Sequence, residues 1–163
     1  WIREGSVDFG FLNPETAEGL TTTLLKRDEM LAVLPRGHAL AEKSSVTLDE
    51  LAREPYILLD EGEFSEPLEF FHENSLEPNT QYIVYDDYTI MSMVEQGLGV
   101  SVLSALVLNR HGRDIEIRRI EPGLVRSISV AYKNKGVLPI AARYFIDFIT
   151  ARRKELTSGY VCE

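Results

Sequence analysis

Side chains able to do covalent or metal chemistry are few in this sequence and poorly placed for it. The histidines His38, His72 and His111 are scattered, without the i, i+4 pairing or the cysteine spacing that a zinc site needs. The single cysteine, Cys162, lies in the tail and has no partner for an internal disulfide. No nucleophile stands beside a base and no cofactor loop is visible, so the sequence gives no reason to expect catalysis or a cofactor. Gly97-Leu98-Gly99 has the composition of a phosphate loop, but it follows a helical pattern and precedes a strand. A phosphate-cradling loop has the opposite order, so a helix stop followed by a tight turn is expected here. Asp86-Asp87 has the form of a carboxylate pair for a cation, yet aspartates just before a helix are usually caps. Met91 and Met93 read as core.

What remains are places where a helix begins directly after a strand. Two stand out, Leu58 to Ser65 and Tyr85 to Thr89, with Leu12-Asn13-Pro14 as a third wall. In open α/β sheets ligands collect beyond the carboxyl ends of strands, where helix N-termini point free amides at polar groups.

The elements that must position these junctions alternate between strand and helix, the signature of an α/β fold with a largely parallel sheet. Strands are expected at Val7 to Leu12, Leu20 to Leu25, Met30 to Leu34, Tyr56 to Leu59, Gln81 to Tyr85, Val100 to Leu103, Ile115 to Ile120 and Ile128 to Tyr132. Several are nearly unbroken apolar runs, as strands covered on both faces should be. Thr47-Leu48-Asp49-Glu50 spells a capping box, with Val46 and Leu51 as its hydrophobic staple. Ser65 precedes Glu66-Pro67 and should cap a helix through about Asn74. Asp86 or Asp87 should cap a helix that turns Ile90, Met91 and Val94 inward and stops at Gly97. Pro139 should open a long helix with Ala141, Phe145, Phe148 and Ile149 on its buried face. Trp1 to Gly5 reads as the last turn of a helix ending at Gly5.

Composition narrows the class of function. The 163 residues are 44% apolar and carry a net charge of -9, which argues against this stretch gripping a phosphate backbone itself. No run of about eighteen apolar residues is present to cross a bilayer, and the lone cysteine is compatible with a reducing cytoplasm.

From Leu31 to Leu59 the sequence reads LAVLPRGHALAEKSSVTLDELAREPYILL. This resembles the hallmark stretch of LysR-type transcriptional regulators' effector domains, in which a strand runs into Pro-x-Gly-His-x-Leu, then a capped Leu-x-x-Leu helix, then Glu-Pro-aromatic-Ile. Upstream, EGSVDFGFL is similar to that family's first strand here, and downstream MSMVEQGLGVSVLS and LPIAARYFIDFI resemble its helix-turn-strand and closing helix. The resemblance covers about Gly5 to Ile149. It departs at Ser104, where the family usually has proline.

The resemblance implies a two-lobed fold like a type-2 periplasmic binding protein, with mostly parallel sheets joined by crossing strands and an effector in the cleft. The first lobe would be residues 1–35 plus 130–163 and the second 36–129. It implies that a further strand and helix, and a winged helix-turn-helix, precede this stretch. Carried over residue by residue, the effector site would comprise Asn13 and Pro14 from the first lobe. The second lobe would supply Glu61, Gly62, Glu63, Phe64 and Ser65, with Asp86 and Tyr88 nearby. Asp60, Glu61, Glu63 and Glu66 form an acidic collar at this loop. Facing the site, these carboxylates would repel an acid and select a neutral or cationic effector; facing outward, they would leave the helix dipoles free to accept an anion. The partners implied are a small-molecule effector, a second copy of the chain in a homodimer or tetramer, and DNA through the separate head, all in the cytoplasm. A transport solute-binding protein of the same fold is the alternative.

Overall fold

The structure is a computed structural model that describes residues 1–60, 62, 65–109 and 112–157. Its chain divides into two compact units, Trp1–Asp28 with Arg126–Glu163, and Glu29–Val125. Two long strands, β2 (Thr21–Pro35) and β7 (Ile115–Tyr132), each run through both.

These two strands depart from the sequence expectation. Each was expected as two strands broken at a polar stretch, at Lys26-Arg27-Asp28-Glu29 and around Glu121-Pro122-Gly123. Both continue. In β2 the continuity has a visible cause: Asp28, only 2% exposed, accepts a hydrogen bond from the Arg126 Nε of β7 at 3.2 Å. A buried carboxylate paired with a guanidinium is satisfied inside the strand, so this polar stretch need not turn out to solvent. The compact units change over at Asp28/Glu29 and Val125/Arg126, within these two strands. Met30 to Leu34 are counted with the second unit because their side chains fill its cores.

In the first unit, β1 (Phe9–Leu12) pairs antiparallel with the end of β7, from Phe9 opposite Tyr132 to Leu12 opposite Ser129. Its core is Leu25, Val130, Tyr132, Leu138, Ala142 and Ile146, flanked by Phe9 and Ile149. The long helix over Ile140–Ala151 does open after Pro139. Its buried face is Ala142, Ile146 and Ile149, about one residue around from the expected Ala141, Phe145 and Phe148. The helix is apolar on nearly every side, so periodicity alone does not choose the face. Its large rings settle at the flanks: Phe145 stacks on Phe9 at 5.3 Å, and Arg152 lies 4.3 Å over the Phe148 ring.

In the second unit, period-two alternation sorts one set of strands into two cores. From β2, Met30, Ala32 and Leu34 enter one core and Leu31 and Val33 the other. The strand β4 (Tyr56–Leu59) divides likewise, with Tyr56 in the first and Ile57 and Leu59 in the second. The first core is closed by α1 (Leu48–Arg53) through Leu48 and Leu51, and by α2 (Glu66–Glu73) through Phe71. The second is closed by α3 (Asp87–Glu95) through Ile90, Met91 and Val94, and by α4 (Ala105–Leu108) through Leu108. Helices on both faces explain the unbroken apolar runs.

Strand pairing is mixed. The strands β4 and β5 (Thr80–Val84) are parallel, as are the short β3 (Ser45–Val46) and β7. Antiparallel pairing joins β2 to β6 (Ser101–Ser104), with Met30 opposite Ser104 and Val33 opposite Ser101. The β4–β6 contact is tight: Val100 N donates to Pro55 O at 2.8 Å and Ile57 N to Val100 O at 2.9 Å. A Cβ on Gly99 would lie 2.4 Å from Pro55 O, so only glycine fits.

The local signals of the hallmark stretch are structural. The Thr47 hydroxyl accepts from the Glu50 amide while Glu50 accepts from the Thr47 amide, completing the capping box. Val46 and Leu51 are buried in one core. Pro35-Arg36-Gly37-His38 forms a turn with Gly37 at φ +74°, after which His38 Nδ1 accepts from the Leu40 amide. Among the described residues, no helix is long and apolar enough to cross a membrane.

Candidate functional site

The parallel register of β4 and β5 sets the site geometry in the second unit. Leu59 lies opposite Val84 and Asp60 N donates to Val84 O at 2.9 Å, so both strands end side by side. Each then runs into a helix, β4 into α2 and β5 into α3. Gly62 and Ser65, which follow β4, are thereby brought to the same sheet end as Asp86 and Tyr88, which follow β5.

Gly62 adopts φ +102° and donates its amide to Asp60 Oδ1 at 2.8 Å. Ser65 stands at the N-cap of α2, but makes no side-chain cap; its hydroxyl donates to Leu59 O at 3.3 Å instead. That corrects the expected capping role: the extended backbone at Ser65 leaves its hydroxyl bonded back to the strand. Asp86 does cap α3, accepting at 2.7 Å from both the hydroxyl and the amide of Thr89. Those bonds, the hydroxyl first, hold its carboxyl below the ordinary aspartate range. Tyr88, 58% exposed, sits in the first turn of α3. Glu61, Glu63 and Phe64 lie outside the described residues. Of the expected acidic collar, Asp60 is bonded to the Gly62 amide, and Glu66 is 8% exposed in the first turn of α2.

In the first unit, Asn13 and Pro14 follow β1. Asn13 Oδ1 accepts from the Glu15 amide at 3.0 Å and caps a single 3-10 turn, Pro14–Thr16. Both residues are half-buried. A mostly apolar depression of about 430 Å³ lies beside them, lined in part by Trp1, Val7, Phe9, Leu12 and Leu20.

The other candidates take structural roles. Gly97 ends α3 with φ +74°, as a helix stop should. Ser104, at the position of the family's usual proline, caps α4 by accepting from the Val107 amide. His38 lies 3.6 Å from Glu54. Among the described residues no three His, Cys, Asp or Glu side chains gather to hold a metal.

Sequence reasoning passed over a second depression in the first unit, about 300 Å³, where Lys26 and Arg27 of β2 meet Arg153 and Lys154. A signal was present: two adjacent pairs of basic residues in an acidic chain.

Two α/β units linked by two long shared strands, with polar loops at the strand ends, define the class of two-lobed ligand-binding folds. Comparison fixes the family. Residues 1–154 match the family model of the LysR substrate binding domain, and the chain belongs to that family. It is 30% identical over 149 residues to the HTH-type transcriptional regulator YvbU of Bacillus subtilis, covering 90% of this chain and 51% of that protein. Among solved structures it resembles HinK, a LysR family transcriptional regulator from Pseudomonas aeruginosa, with a TM-score of 0.78, 26% identity, and coverage of 96% of this chain and 56% of that one. The regulatory domain of Synechocystis CcmR, solved in complex with 2-PG, shares the fold at a TM-score of 0.83 and 22% identity, covering 96% of this chain and 78% of that one. The chain thus spans about half the length of the curated relative it matches.

Proposed function

We propose that this chain is the sensor of a LysR-type regulator, binding a small-molecule effector whose presence biases a DNA-binding head carried elsewhere on the full protein. The observation that carries this reading is the sheet end of the second unit, where two adjacent parallel strands both run into helix N-termini. The effector contacts proposed there are Gly62, Ser65, Asp86 and Tyr88, together with Glu61, Glu63 and Phe64 of the same loop. Asn13 and Pro14 are the contacts proposed from the first unit.

Carboxylates of this loop that face the site would select a neutral or cationic effector, and carboxylates that face outward would leave the helix N-termini to accept an anionic group. The chain binds without turnover in this reading, acts in the cytoplasm and works as a homodimer or tetramer. Transcriptional regulators among its relatives count against the alternative of a transport solute-binding protein.

Ligand binding stabilises a fold by mass action, by about 2.7 kcal/mol at a hundredfold excess over Kd. A thermal-shift screen of metabolites should therefore yield at least one stabilising ligand, and Ser65→Trp and Asn13→Trp should each abolish its shift while the circular dichroism spectrum is kept. Unchanged shifts in both variants would show the contacts to be misassigned. Formation of product from the stabilising metabolite would overturn the non-catalytic reading.

A further inference from the structure

Both ring nitrogens of His38 face a partner, and the two partners fix where the ring carries its proton. Nδ1 accepts from the Leu40 amide at 3.2 Å, His38 being the N-cap of the 3-10 turn Ala39–Glu42. An accepting ring nitrogen bears no proton, so the neutral imidazole holds its proton on Nε2. Nε2 lies 3.6 Å from the Glu54 carboxylate, at the C-cap of α1. A second proton would make both nitrogens donors. Nε2 would still suit Glu54, but Nδ1 could no longer accept from Leu40. Cap and cation are mutually exclusive in this geometry.

Other charges on the surrounding elements are engaged with one another. Arg36 of the turn pairs with Asp114, Lys43 with Glu50, and Arg53 of α1 with Asp49. From β7, Arg118 donates to Ala41 O and Lys43 O and pairs with Glu116, while Arg119 pairs with Glu29. Glu42 is exposed. Among the described residues, Glu54 is the charged group set against the imidazole. The turn also joins parts that matter. Leu40 is buried in one core with Leu48 and Leu51 of α1, and Glu54 leads through Pro55 into β4.

We propose that His38 is a proton-operated clasp: with a single proton, on Nε2, it ties the turn Pro35–Leu40 to the end of α1, and a second proton releases the Leu40 amide. The step adds one solvent proton to the Nδ1 lone pair and breaks one hydrogen bond. Histidine ordinarily changes charge between about pH 5 and 8, so the clasp is closed on the alkaline side of that titration and open on the acid side. None of the proposed effector contacts takes part, and the clasp stands without them.

Imidazole nitrogen shifts and amide hydrogen exchange of the isotopically labelled chain test this. Near pH 8 the ring should carry its proton on Nε2. Between about pH 8 and pH 5 the protection factor of the Leu40 amide, which corrects for the intrinsic pH dependence of exchange, should fall by about tenfold or more. The Glu50 amide, capped by Thr47, should keep its protection and so exclude general unfolding. His38→Asn supplies an acceptor that does not titrate, and should leave Leu40 protected at both pH values. His38→Ala should leave it unprotected at both. A ring protonated on Nδ1 near pH 8, equal Leu40 protection at the two pH values in the wild type, a fall that persists in His38→Asn, or wild-type protection in His38→Ala would each overturn the clasp.

Discussion

Gly97, Gly99 and Gly123 differ in what an added methyl group would meet, and that difference predicts a ranked series of alanine variants. At Gly99 the new Cβ would stand 2.4 Å from Pro55 O, 3.1 Å from Pro55 C and 3.2 Å from Ile57 Cγ1. The obstacle is backbone, so relief requires β4 to move away. Pro55 O is the acceptor of the 2.8 Å bond from Val100 N, and the 2.9 Å bond from Ile57 N to Val100 O lies next to it. Overpacking costs about 1–3 kcal/mol, and losing two backbone hydrogen bonds adds about 1 kcal/mol each. Gly99→Ala should therefore lose roughly 3–5 kcal/mol, a large share of the 5–15 kcal/mol typical of a domain. At Gly97 space is open but φ is +74°, so Gly97→Ala bears only the left-handed penalty, about 1–2 kcal/mol. At Gly123 nothing lies within 4 Å, and Gly123→Ala should stay within about 0.5 kcal/mol of wild type. Urea unfolding followed by far-ultraviolet circular dichroism measures all three, the midpoint carrying the effect if the slope is unchanged. A Gly99→Ala midpoint equal to or above that of Gly97→Ala would refute the reasoning, because it would mean that strand approach does not select glycine there.

Other substitutions probe the cap and the buried ion pair. Arg126→Ala should cost about 1–3 kcal/mol in the same urea assay, because it removes a charged hydrogen-bond donor from the 2%-exposed carboxylate of Asp28; no measurable loss would show that Arg126 does not support it. Thr47→Ala should cost about 1 kcal/mol by removing the acceptor for the Glu50 amide, and no measurable loss would remove the cap from the account. The Glu50 carboxyl is held below its ordinary value, first by Lys43 and then by the Thr47 amide. A lowered folded pKa means stability that is present above the unfolded glutamate range and falls away as pH drops through the folded value. The Glu50→Gln variant should lose that portion of the pH dependence when unfolding midpoints are compared between neutral and acid pH; an identical pH profile would contradict it.

Much of the second unit was legible because its signals are local and chemically specific. The Thr47–Glu50 box, the Asp86 cap and the Gly97 stop depend on side chains within four residues of the backbone they serve. The strand Tyr56–Leu59 was legible because its apolar run has no competing period. The misses are long-range. Lys26 to Glu29 has the composition of a turn, and the partner that satisfies its buried Asp28, Arg126, lies far along the chain. The closing helix offers apolar residues on several faces, and its packing against Phe9 and Leu138, not its periodicity, selects Ala142 and Ile146. Ser65 has the residue type and position of a cap, but its hydroxyl turns to the carbonyl of Leu59. For the candidate site the sequence identified the strand ends, and the parallel register of β4 and β5 then brings the segments that follow them to the same sheet end.

The paired Asp28 and Arg126 also mark where the chain leaves the first unit and returns to it, with the whole of Glu29–Val125 in between. The first unit is thus a discontinuous assembly whose halves must find each other across a loop of roughly a hundred residues, an entropic cost of about 4 kcal/mol for a flexible chain. The second unit is one uninterrupted stretch and faces no such penalty. Once it has folded, the ends of the loop are already close and most of that cost has been removed. Connectivity therefore predicts an order of folding, with the inserted unit forming before the one that encloses it in sequence. Damage to the insert, such as the strand displacement at Gly99, should slow the formation of a core that contains none of the altered residues.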